Sequence, residues 1–264
     1  MLSGGGSRGV AHIGVLRALL EAGIEPVDVA GASCGALVGG LYAAGLGPPE
    51  ILEVFRATDP LQLRNVAFGK PGLIDPQKYV TAFSRHFPRD SFDALRRRLA
   101  VVATDLFSGE PRVFDAGPVV PAIVASSCVP MVYAPMEIDG RWYADGGIVD
   151  NFPVGLVRSR CDFVIGVHVR PLPPAGPRDL GTGLAVLERA LEIGMHRQSR
   201  PNFDSCDALI LPWEAAQFGM FDTRHLDEIE AAGYAAARTH LPRIRRALAA
   251  ARPRRPAQTK ASGE

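Results

Sequence analysis

The sequence predicts an α/β protein built as a three-layer α/β/α sandwich around a mainly parallel sheet. Short apolar segments alternate with segments of helical periodicity, which is the order that places helices on both faces of parallel strands. Two glycine-rich turns, at residues 3–9 and 31–35, each come directly before a helix-forming segment. With 264 residues, 47% of them hydrophobic, the chain can bury a substantial core as one domain.

The first elements follow the turn at residues 3–9. Apolar residues recur at helical spacing over residues 10–22, and residues 27–30 form a short apolar run that predicts a buried strand. A helix of small residues is predicted at 36–44, directly after the second turn. In this order both glycine-rich turns lie at the same end of a parallel strand pair, so both helix N-termini are expected to face one crevice.

The middle of the chain is less regular and is expected to form a helical and loop cap over that crevice. Within this cap, helices are predicted at residues 49–57, 77–86 and 92–98, with a turn at residues 69–72.

The remaining elements complete the sheet and its helical layers. Strands are predicted at residues 99–104, 112–115, 163–169 and 208–211, a hairpin around Asp139 and Gly140 at 137–143, a loop at 171–177, and helices at 118–127, 184–197 and 224–251. The single domain is expected to span residues 1–251. Residues 252–264 form an Arg/Pro-rich tail with little to bury, which predicts disorder.

Composition narrows the class of protein. A formal net charge of +1 argues against electrostatic binding of nucleic acid. The four cysteines lack the spacing of a zinc site or a disulfide framework, which predicts free thiols in a reducing cytoplasm. No leader-like segment opens the chain, and no apolar run approaches the ~18 residues of a membrane span. A cytoplasmic protein is predicted, and transient contact with a membrane surface stays open.

The second turn is a candidate nucleophile elbow. Residues 31–35 (GASCG) fit GxSxG, the strand-turn-helix turn that lifts a serine hydroxyl out of a sheet. The serine is Ser33, and its neighbours Gly31, Ala32, Cys34 and Gly35 are small enough for a strained turn. A chance match is the alternative in a chain with 28 glycines, but the position between an apolar strand and a small-residue helix favours the elbow.

The first turn has two interpretations. Gly4, Gly6 and Gly9 satisfy GxGxxG, which in a dinucleotide site requires an acidic residue at the end of the next strand. That strand ends at the Ser33 elbow instead, so a non-catalytic dinucleotide- or anion-binding protein is the weaker hypothesis. In acyl transfer, the N–H groups of Gly5 and Gly6 would hold the oxyanion, aided by the helix N-terminus.

The base for Ser33 has two candidates. A triad would need a histidine, and among the six in the chain His168 comes nearest, although a buried core histidine is the simpler interpretation. Asp145 is followed directly by Gly146 and Gly147, which leaves its carboxylate room for a close approach. A plain Asp-Gly turn is the alternative.

Four blocks in this order resemble the patatin-like phospholipases: residues 3–9, 31–35, 125–130 (ASSCVP) and 145–153 (DGGIVDNFP). The resemblance runs from residue 2 to about residue 169. It implies a patatin-like fold and a lipid acyl hydrolase, a phospholipase, lysophospholipase or carboxylesterase, that acts on lipid esters without a cofactor or metal.

The resemblance also implies roles for residues. Ser33 would be the nucleophile and Asp145 the general base of a Ser-Asp dyad. Burial beneath a lipid chain would raise the pKa of Asp145 and make it a better base. The residues of the oxyanion-hole loop would be Gly4, Gly5, Gly6, Ser7, Arg8 and Gly9. Arg8 would brace this loop or add positive potential, unless it is simply solvated.

Three further expectations concern the surroundings of the site. Only Met1 and Leu2 precede Ser3, whereas the family carries a full strand there. Either this strand is a stub, which would leave the loop weakly anchored, or the true start lies upstream. Apolar cap residues could line an acyl channel or simply pack: Leu61, Leu63, Val66, Phe68, Leu73 and Ile74. Arginines near the end could attract anionic lipid or only solvate a helix: Arg243, Arg245, Arg246, Arg252, Arg254 and Arg255.

Overall fold

The structure is a computed structural model that describes residues 1–58 and 71–250. Its α-helices are α1 (Ala11–Glu21), α2 (Cys34–Ala44), α3 (Pro48–Ala57), α4 (Gln77–Ser84), α5 (Val119–Ala125), α6 (Gly147–Asp150), α7 (Gly155–Arg158), α8 (Gly183–Ser199) and α9 (Leu226–Ala250). Its strands are β1 (Asp28–Ala32), β2 (Arg98–Asp105), β3 (Pro111–Phe114), β4 (Met136–Ile138), β5 (Arg141–Ala144), β6 (Ile165–Val167) and β7 (Ala208–Ile210).

The sheet is mixed, with a parallel part and an antiparallel part. Strands β1 and β2 are parallel, as are β6 and β7, and Leu2 joins the two pairs through parallel bridges to Gly31 and Val167. On the other side β2 pairs antiparallel with β3 and β5, and β5 pairs with β4. Both glycine-rich turns therefore lie at the carboxyl ends of parallel strands, as the sequence predicts.

The two faces of the sheet carry separate apolar cores, because side chains alternate along a strand. Val29 and Leu99 face the larger core, which also contains residues of α1, α2 and α9. Their neighbours Ala30 and Ala100 face a smaller core with Phe152 and the α7 segment. Helices thus cover both faces, and the predicted three-layer α/β/α arrangement is confirmed.

Helices α1 and α9 cross at two glycines. A Cβ on Gly14 would overlap the carbonyl oxygen of Glu230, and a Cβ on Gly233 would overlap that of Ala11. Beside this crossing, Arg17 donates to both carboxylate oxygens of Glu230, at 2.8 and 3.0 Å. The long C-terminal helix is therefore held against the helix that follows the first glycine-rich turn.

Two predicted elements differ from the structure. The helix predicted at residues 92–98 is wrong: only Phe92–Ala94 turns, as a 3₁₀ helix, because the N–H groups of Arg96 and Arg97 donate to the Ala43 carbonyl and lead the chain into β2. The strand predicted at 163–169 shortens to β6. The other predicted helices and strands that fall in the described residues agree within a few positions.

Part of the expected cap and the expected tail lie outside the described residues. Leu73 is exposed and Ile74 is buried, and α3 and α4 lie where the cap was predicted. Arg245, which is part of α9, donates a hydrogen bond to the Ala22 carbonyl at a distance of 3.0 Å. In the part of the chain that is described, no helix is both long enough and apolar enough to cross a membrane. Some residues predicted to line an acyl channel or to attract anionic lipid lie outside the described residues: Leu61, Leu63, Val66, Phe68, Arg252, Arg254 and Arg255.

Replacing Gly233 with Ala tests the α1–α9 crossing. The new methyl group meets backbone that cannot rotate away, so we expect the free energy of unfolding to fall by about 2 kcal/mol, despite a helix-propensity gain of about 1 kcal/mol. Gly194→Ala is the matched control, because a Cβ there meets nothing within 4 Å. Urea denaturation of both variants measures the difference, and a Gly233→Ala protein as stable as the control would contradict the crossing.

Candidate active site

Ser33 occupies a strained turn between β1 and α2. Its backbone has φ 53° and ψ −129°, a conformation that a residue with a side chain rarely adopts. Gly35 permits the turn, since a Cβ there would overlap the carbonyl oxygen of Leu2. A Cβ on Gly31 would lie 2.5 Å from the Gly35 carbonyl oxygen. The strand-turn-helix elbow predicted from GxSxG is therefore present, with the hydroxyl at the N-terminus of α2.

The Ser33 hydroxyl donates a hydrogen bond to Asp145. The distance from Ser33 Oγ to Asp145 Oδ2 is 2.6 Å, and both side chains are buried. The other carboxylate oxygen, Oδ1, accepts the N–H of Gly147 at 2.8 Å. Residues 112 positions apart in the sequence thus form one buried pair.

Ser126 and Thr104 fix the two halves of this pair. The Ser126 hydroxyl accepts the N–H of Ser33 at 2.9 Å and donates to the Val102 carbonyl at 2.6 Å. The Thr104 hydroxyl donates to the Asp145 carbonyl at 2.7 Å. The elbow and the Asp145 segment are therefore both tied to the end of β2, which lies between them.

The glycines after Asp145 are needed for close packing. A Cβ on Gly146 would overlap the Val102 carbonyl oxygen, and a Cβ on Gly147 would lie 2.9 Å from Asp145 Oδ1. A larger residue at either position would therefore force the Asp145 segment or its neighbours to shift.

Burial raises the pKa of Asp145 to about 6. The hydrogen bonds from Ser33 and Gly147 and the positive charge of Arg170 oppose this rise, because each stabilises the ionised carboxylate. The group is consequently a stronger base than an exposed aspartate and is still ionised at neutral pH.

The first glycine-rich turn lies against Ser33 and has two uncommitted donors. The N–H of Gly4 donates to the Asn151 carbonyl at 3.2 Å, and the N–H of Ser7 donates to the Met220 carbonyl at 2.8 Å. Within the described residues, the N–H groups of Gly5 and Gly6 have no protein acceptor. A Cβ on Gly4 would lie 3.1 Å from the Ser33 Cβ, so the turn adjoins the elbow, and Gly6 and Ser33 line the same cleft.

The turn is firmly anchored despite its short lead-in, contrary to the expectation from the sequence. The N–H of Leu2 donates to the Ala30 carbonyl at 2.9 Å and that of Ser3 to the Val167 carbonyl at 3.0 Å. The Ser3 hydroxyl accepts the N–H of Val169, also at 3.0 Å. Each of the two residues that lead into the glycines is thus bonded into the sheet.

Arg8 braces the turn from the other side. Its Nε donates to the Phe218 carbonyl and its Nη1 to Glu192 Oε1, both at 2.6 Å. Arg170 donates to the same carboxylate oxygen at 2.8 Å. Arg8 is buried, so its interpretation as a solvated surface residue is wrong.

The remaining predicted residues hold the turn against the elbow. A Cβ on Gly9 would overlap the Cys34 sulfur, so the end of the first turn is in direct contact with the first residue of α2. Ala32 is buried at the end of β1. Burial raises the pKa of the Cys34 thiol to about 12, so this cysteine stays protonated and unreactive.

His168 lies apart from the pair. Its ring packs edge-on against Phe152, Phe203 and His196, at centroid distances of 5.0 to 5.8 Å, and burial lowers its pKa to about 3. All six histidines fall in the described residues, and none is hydrogen-bonded to Ser33 or Asp145. Across residues 1–58 and 71–250, no three His, Cys, Asp or Glu side chains gather as a metal ion would require.

A largely apolar cleft opens beside Ser33. Helices α3 and α4 of the cap contribute Phe55, Tyr79 and Phe83 to its wall, and the Tyr133 hydroxyl donates to that of Tyr79 at 2.9 Å. Other residues that line the cleft are Gly6, Ser7, Val10, Cys34, Leu37, Thr58, Val124, Ser127, Cys128, Val129, Met220, Phe221, Thr223 and Leu226.

Residues 1–158 match the family model described as Patatin-like phospholipase. The chain belongs to the patatin-like phospholipase family. An uncharacterized NTE family protein of Mycobacterium tuberculosis is 36% identical over 181 residues, which cover 67% of this chain and 50% of that protein. A patatin-like phospholipase domain-containing protein of Caenorhabditis elegans is 32% identical over 199 residues, which cover 70% of this chain and 14% of that protein. The chain therefore spans about half the length of the mycobacterial relative.

The patatin-like fold is also found in a solved structure. The crystal structure of VipD from Legionella pneumophila superimposes with a TM-score of 0.61 over 91% of this chain and 66% of that chain, at 14% sequence identity. At this identity the likeness shows a shared fold. Membership of the patatin-like phospholipase family confirms the resemblance that the four sequence blocks indicated.

Several residues of the site have roles that the sequence alone does not assign. Ser126 lies in one of the four blocks, but nothing in its pattern shows that its hydroxyl meets the Ser33 backbone. Thr104 stands at the carboxyl end of a predicted strand, where polar residues often face a site, so a signal for it existed. Glu192 and Arg170 come together only through the tertiary fold, and no local pattern identifies them.

The raised pKa of Asp145 predicts a pH-dependent stability. The folded-state pKa of about 6 exceeds the ordinary value of 3.8, so the folded protein holds the Asp145 proton more tightly than the unfolded chain does. The resulting contribution to the free energy of unfolding is fully present below about pH 4 and is lost as the pH rises through about 6. We expect the free energy of unfolding of the wild type, relative to Asp145→Asn, to fall by roughly 3 kcal/mol over that interval. Urea denaturation across the pH range measures it, and a constant difference would contradict the raised pKa.

Proposed function

We propose that this protein is a serine-dependent lipid acyl hydrolase that works with a Ser-Asp dyad. The hydrogen bond of 2.6 Å between Ser33 Oγ and the buried Asp145 carboxylate, at the wall of an apolar cleft, is the observation that carries the proposal. A serine hydroxyl becomes an effective nucleophile only when an adjacent base takes its proton. Membership of a family of lipid-ester hydrolases supports the same reaction class.

In the first half of the reaction, Ser33 Oγ forms a bond to the ester carbonyl carbon and its proton passes to Asp145 Oδ2. The carbonyl π electrons move to oxygen and form the tetrahedral intermediate. When the intermediate collapses, the alcohol leaves with the proton that Asp145 held. A pKa of about 6 suits Asp145 to both transfers, since it is ionised near neutral pH yet accepts a proton more readily than an exposed aspartate.

In the second half, water takes the place of the alcohol. Asp145 accepts a proton from water as the water oxygen attacks the acyl carbon, and it returns that proton to Ser33 Oγ as the carboxylic acid leaves. Each cycle therefore restores both residues. The carboxylate acts without a histidine between it and the serine.

The uncommitted N–H groups of Gly5 and Gly6 are the proposed oxyanion hole. Preformed donors that point at a developing oxyanion lower the barrier of acyl transfer, and losing one such donor costs about 3 kcal/mol in other enzymes. The hydrogen bonds of Ser3, Gly4 and Ser7 hold the turn in place, so these donors need no rearrangement during the reaction.

The cleft supports an acyl chain as the part of the substrate that is recognised. Its wall carries aliphatic and aromatic side chains from the cap and from the core helices, such as Leu37, Phe55 and Phe83. Such a wall gains free energy by removing an alkyl chain from water. Phospholipids and lysophospholipids are the proposed natural substrates, and a simple ester such as p-nitrophenyl butyrate is the test substrate.

Three substitutions test the dyad by turnover of p-nitrophenyl butyrate. We expect Ser33→Ala and Asp145→Asn to lower kcat at least about 1,000-fold, because each removes a group that acts on the transferred proton. We expect His168→Phe to retain activity, since it keeps the ring packing and removes only the titratable group. A fluorophosphonate probe should label the wild type at Ser33.

The control for probe and activity is Ser127→Ala, because Ser127 lines the same cleft but donates to the Ile123 carbonyl at 3.0 Å. It should be labelled and active. Activity that survives Asp145→Asn but disappears in His168→Phe would move the base to the histidine. A folded wild type that stays unlabelled and binds a dinucleotide would favour the anion-binding alternative.

A further inference from the structure

Arg170 is a buried cation that lies between the first glycine-rich turn and the Asp145 segment. Its side chain is 6% exposed. On one side, a Cβ on Gly5 would lie 3.5 Å from Arg170 Cγ, so the stem of the arginine packs behind the turn. On the other side, Arg170 Nη1 donates to the sulfur of Met195 at 3.4 Å, and a Cβ on Gly147 would lie 3.4 Å from the Met195 methyl carbon. One charged side chain thus stands between the two parts of the site.

The positive charge of Arg170 is only partly neutralised. Its Nη2 donates to Glu192 Oε1 at 2.8 Å, but Arg8 donates to the same oxygen at 2.6 Å. Arg189 lies 3.6 Å from the other oxygen of Glu192, and Glu188 lies 3.9 Å from Arg8. Among these five side chains, three positive charges face two negative ones. The Nε of Arg170 is buried and has no acceptor within the described residues, so this guanidinium can still stabilise a nearby negative charge.

Glu192 stays ionised while Asp145 titrates. Burial works against the charged form of Glu192, but the hydrogen bonds from Arg170 and Arg8 outweigh burial and lower its pKa. The charge of this arginine and glutamate group is therefore constant from weakly acidic to neutral pH.

The other titratable groups around Asp145 are neutral or have partners elsewhere. The thiols of Cys34 and Cys128 lie near Asp145, and burial raises the pKa of both, so they stay protonated. Three groups on neighbouring elements are engaged away from it: Asp105 with Arg141, Asp150 with the N–H of Phe152, and His196 with the ring of His168. Within the described part of the chain, Arg170 is therefore the charged side chain whose field acts on Asp145.

Acyl transfer moves a negative charge from one side of Arg170 to the other. Before the attack on the ester, the charge is on the Asp145 carboxylate. Once Asp145 holds the Ser33 proton and the ester carbonyl has opened, the charge is on the oxyanion beside Gly5 and Gly6. A fixed cation between these two positions interacts with the charge at the start and at the end of the step, and it needs no rearrangement.

We propose that Arg170 is a positioning residue of the hydrolase, whose partly neutralised charge stabilises the Asp145 carboxylate before the attack and the oxyanion at Gly5 and Gly6 after it. Glu192 of α8 sets the strength of this charge, because it neutralises part of it. The role in turnover rests on the proposed function, whereas the effect of Arg170 on the ionisation of Asp145 does not.

The pH dependence of p-nitrophenyl butyrate turnover tests the proposal. On the acid side, kcat/KM should follow the ionisation of Asp145 and fall to half near pH 6 in the wild type. We expect Arg170→Met to raise this midpoint by about 1 pH unit, because the carboxylate loses a stabilising cation. Arg170→Lys keeps the charge and should keep the midpoint near that of the wild type.

A second substitution should move the midpoint in the opposite direction. Glu192→Gln leaves Arg170 less neutralised, so we expect a midpoint below that of the wild type. A residue that only supports the fold would not produce shifts of opposite sign. The matched control is Arg197→Met, which removes an exposed positive charge from the same helix and should leave the midpoint unchanged.

A measurement that does not need turnover separates this proposal from the proposed function. Urea denaturation across the pH range gives the free energy of unfolding of each variant with and without Asp145→Asn. The contribution of the Asp145 proton should be lost at a higher pH in Arg170→Met and at a lower pH in Glu192→Gln, because the folded-state pKa moves in these directions. If the wild type does not hydrolyse the ester, the hydrolase proposal fails and this measurement still decides the effect of Arg170.

Three results would overturn the proposal. The first is an unchanged midpoint in a folded Arg170→Met protein. The second is an Arg170→Lys midpoint that matches Arg170→Met, since the shape of the side chain and not its charge would then matter. The third is a shift of the same sign in Arg170→Met and Glu192→Gln, which would indicate a general loosening of the site. Thermal unfolding verifies that the variants are folded, and Arg170→Gln, which keeps a donor for Glu192, replaces Arg170→Met if that protein does not fold.

Discussion

The hydrogen bond between Ser33 Oγ and Asp145 Oδ2 is the constraint on which the arrangement of this protein depends. Ser33 follows a parallel strand and Asp145 follows an antiparallel one, so the mixed sheet is what brings them to the same edge. Strand β2 pairs with both of these strands, and Ser126 and Thr104 tie each partner to it. The distance of 2.6 Å is thus set by the register of the sheet as well as by the two side chains.

This pair carries two energetic costs that the surroundings offset. Ser33 has a positive φ, and Asp145 is a buried carboxylate whose pKa burial raises to about 6. Close glycine packing and the hydrogen bond to Ser126 hold the elbow, while Arg170 and two hydrogen bonds limit the rise in the pKa. The same Arg170 shares Glu192 with Arg8, so one carboxylate on α8 links the base to the turn beside the nucleophile.

The sequence predicts the parts of this site that depend on local geometry and misses those that depend on distant partners. Ser33 and Asp145 stand out because tight turns require glycine beside them, and that requirement is visible in the residues themselves. The helix expected at 92–98 is wrong because the Ala43 carbonyl of α2 accepts the N–H groups of Arg96 and Arg97 and leads that segment into the sheet. Periodicity predicts helix α8 but cannot tell which side is buried, since Glu188 and Glu192 face inward only because Arg8, Arg170 and Met220 lie there.

A crystal structure of the Ser33 phosphonate adduct would test the central claim most directly, because the adduct resembles the tetrahedral intermediate in shape and charge. We predict phosphorus bonded to Ser33 Oγ, with the phosphonyl oxygen about 2.7–3.1 Å from the N–H groups of Gly5 and Gly6. We also predict that Asp145 Oδ2 lies within hydrogen-bond distance of Ser33 Oγ and that the alkyl chain occupies the cleft. An adduct whose phosphonyl oxygen points away from the turn at residues 3–9, or whose serine oxygen meets a histidine, would contradict it.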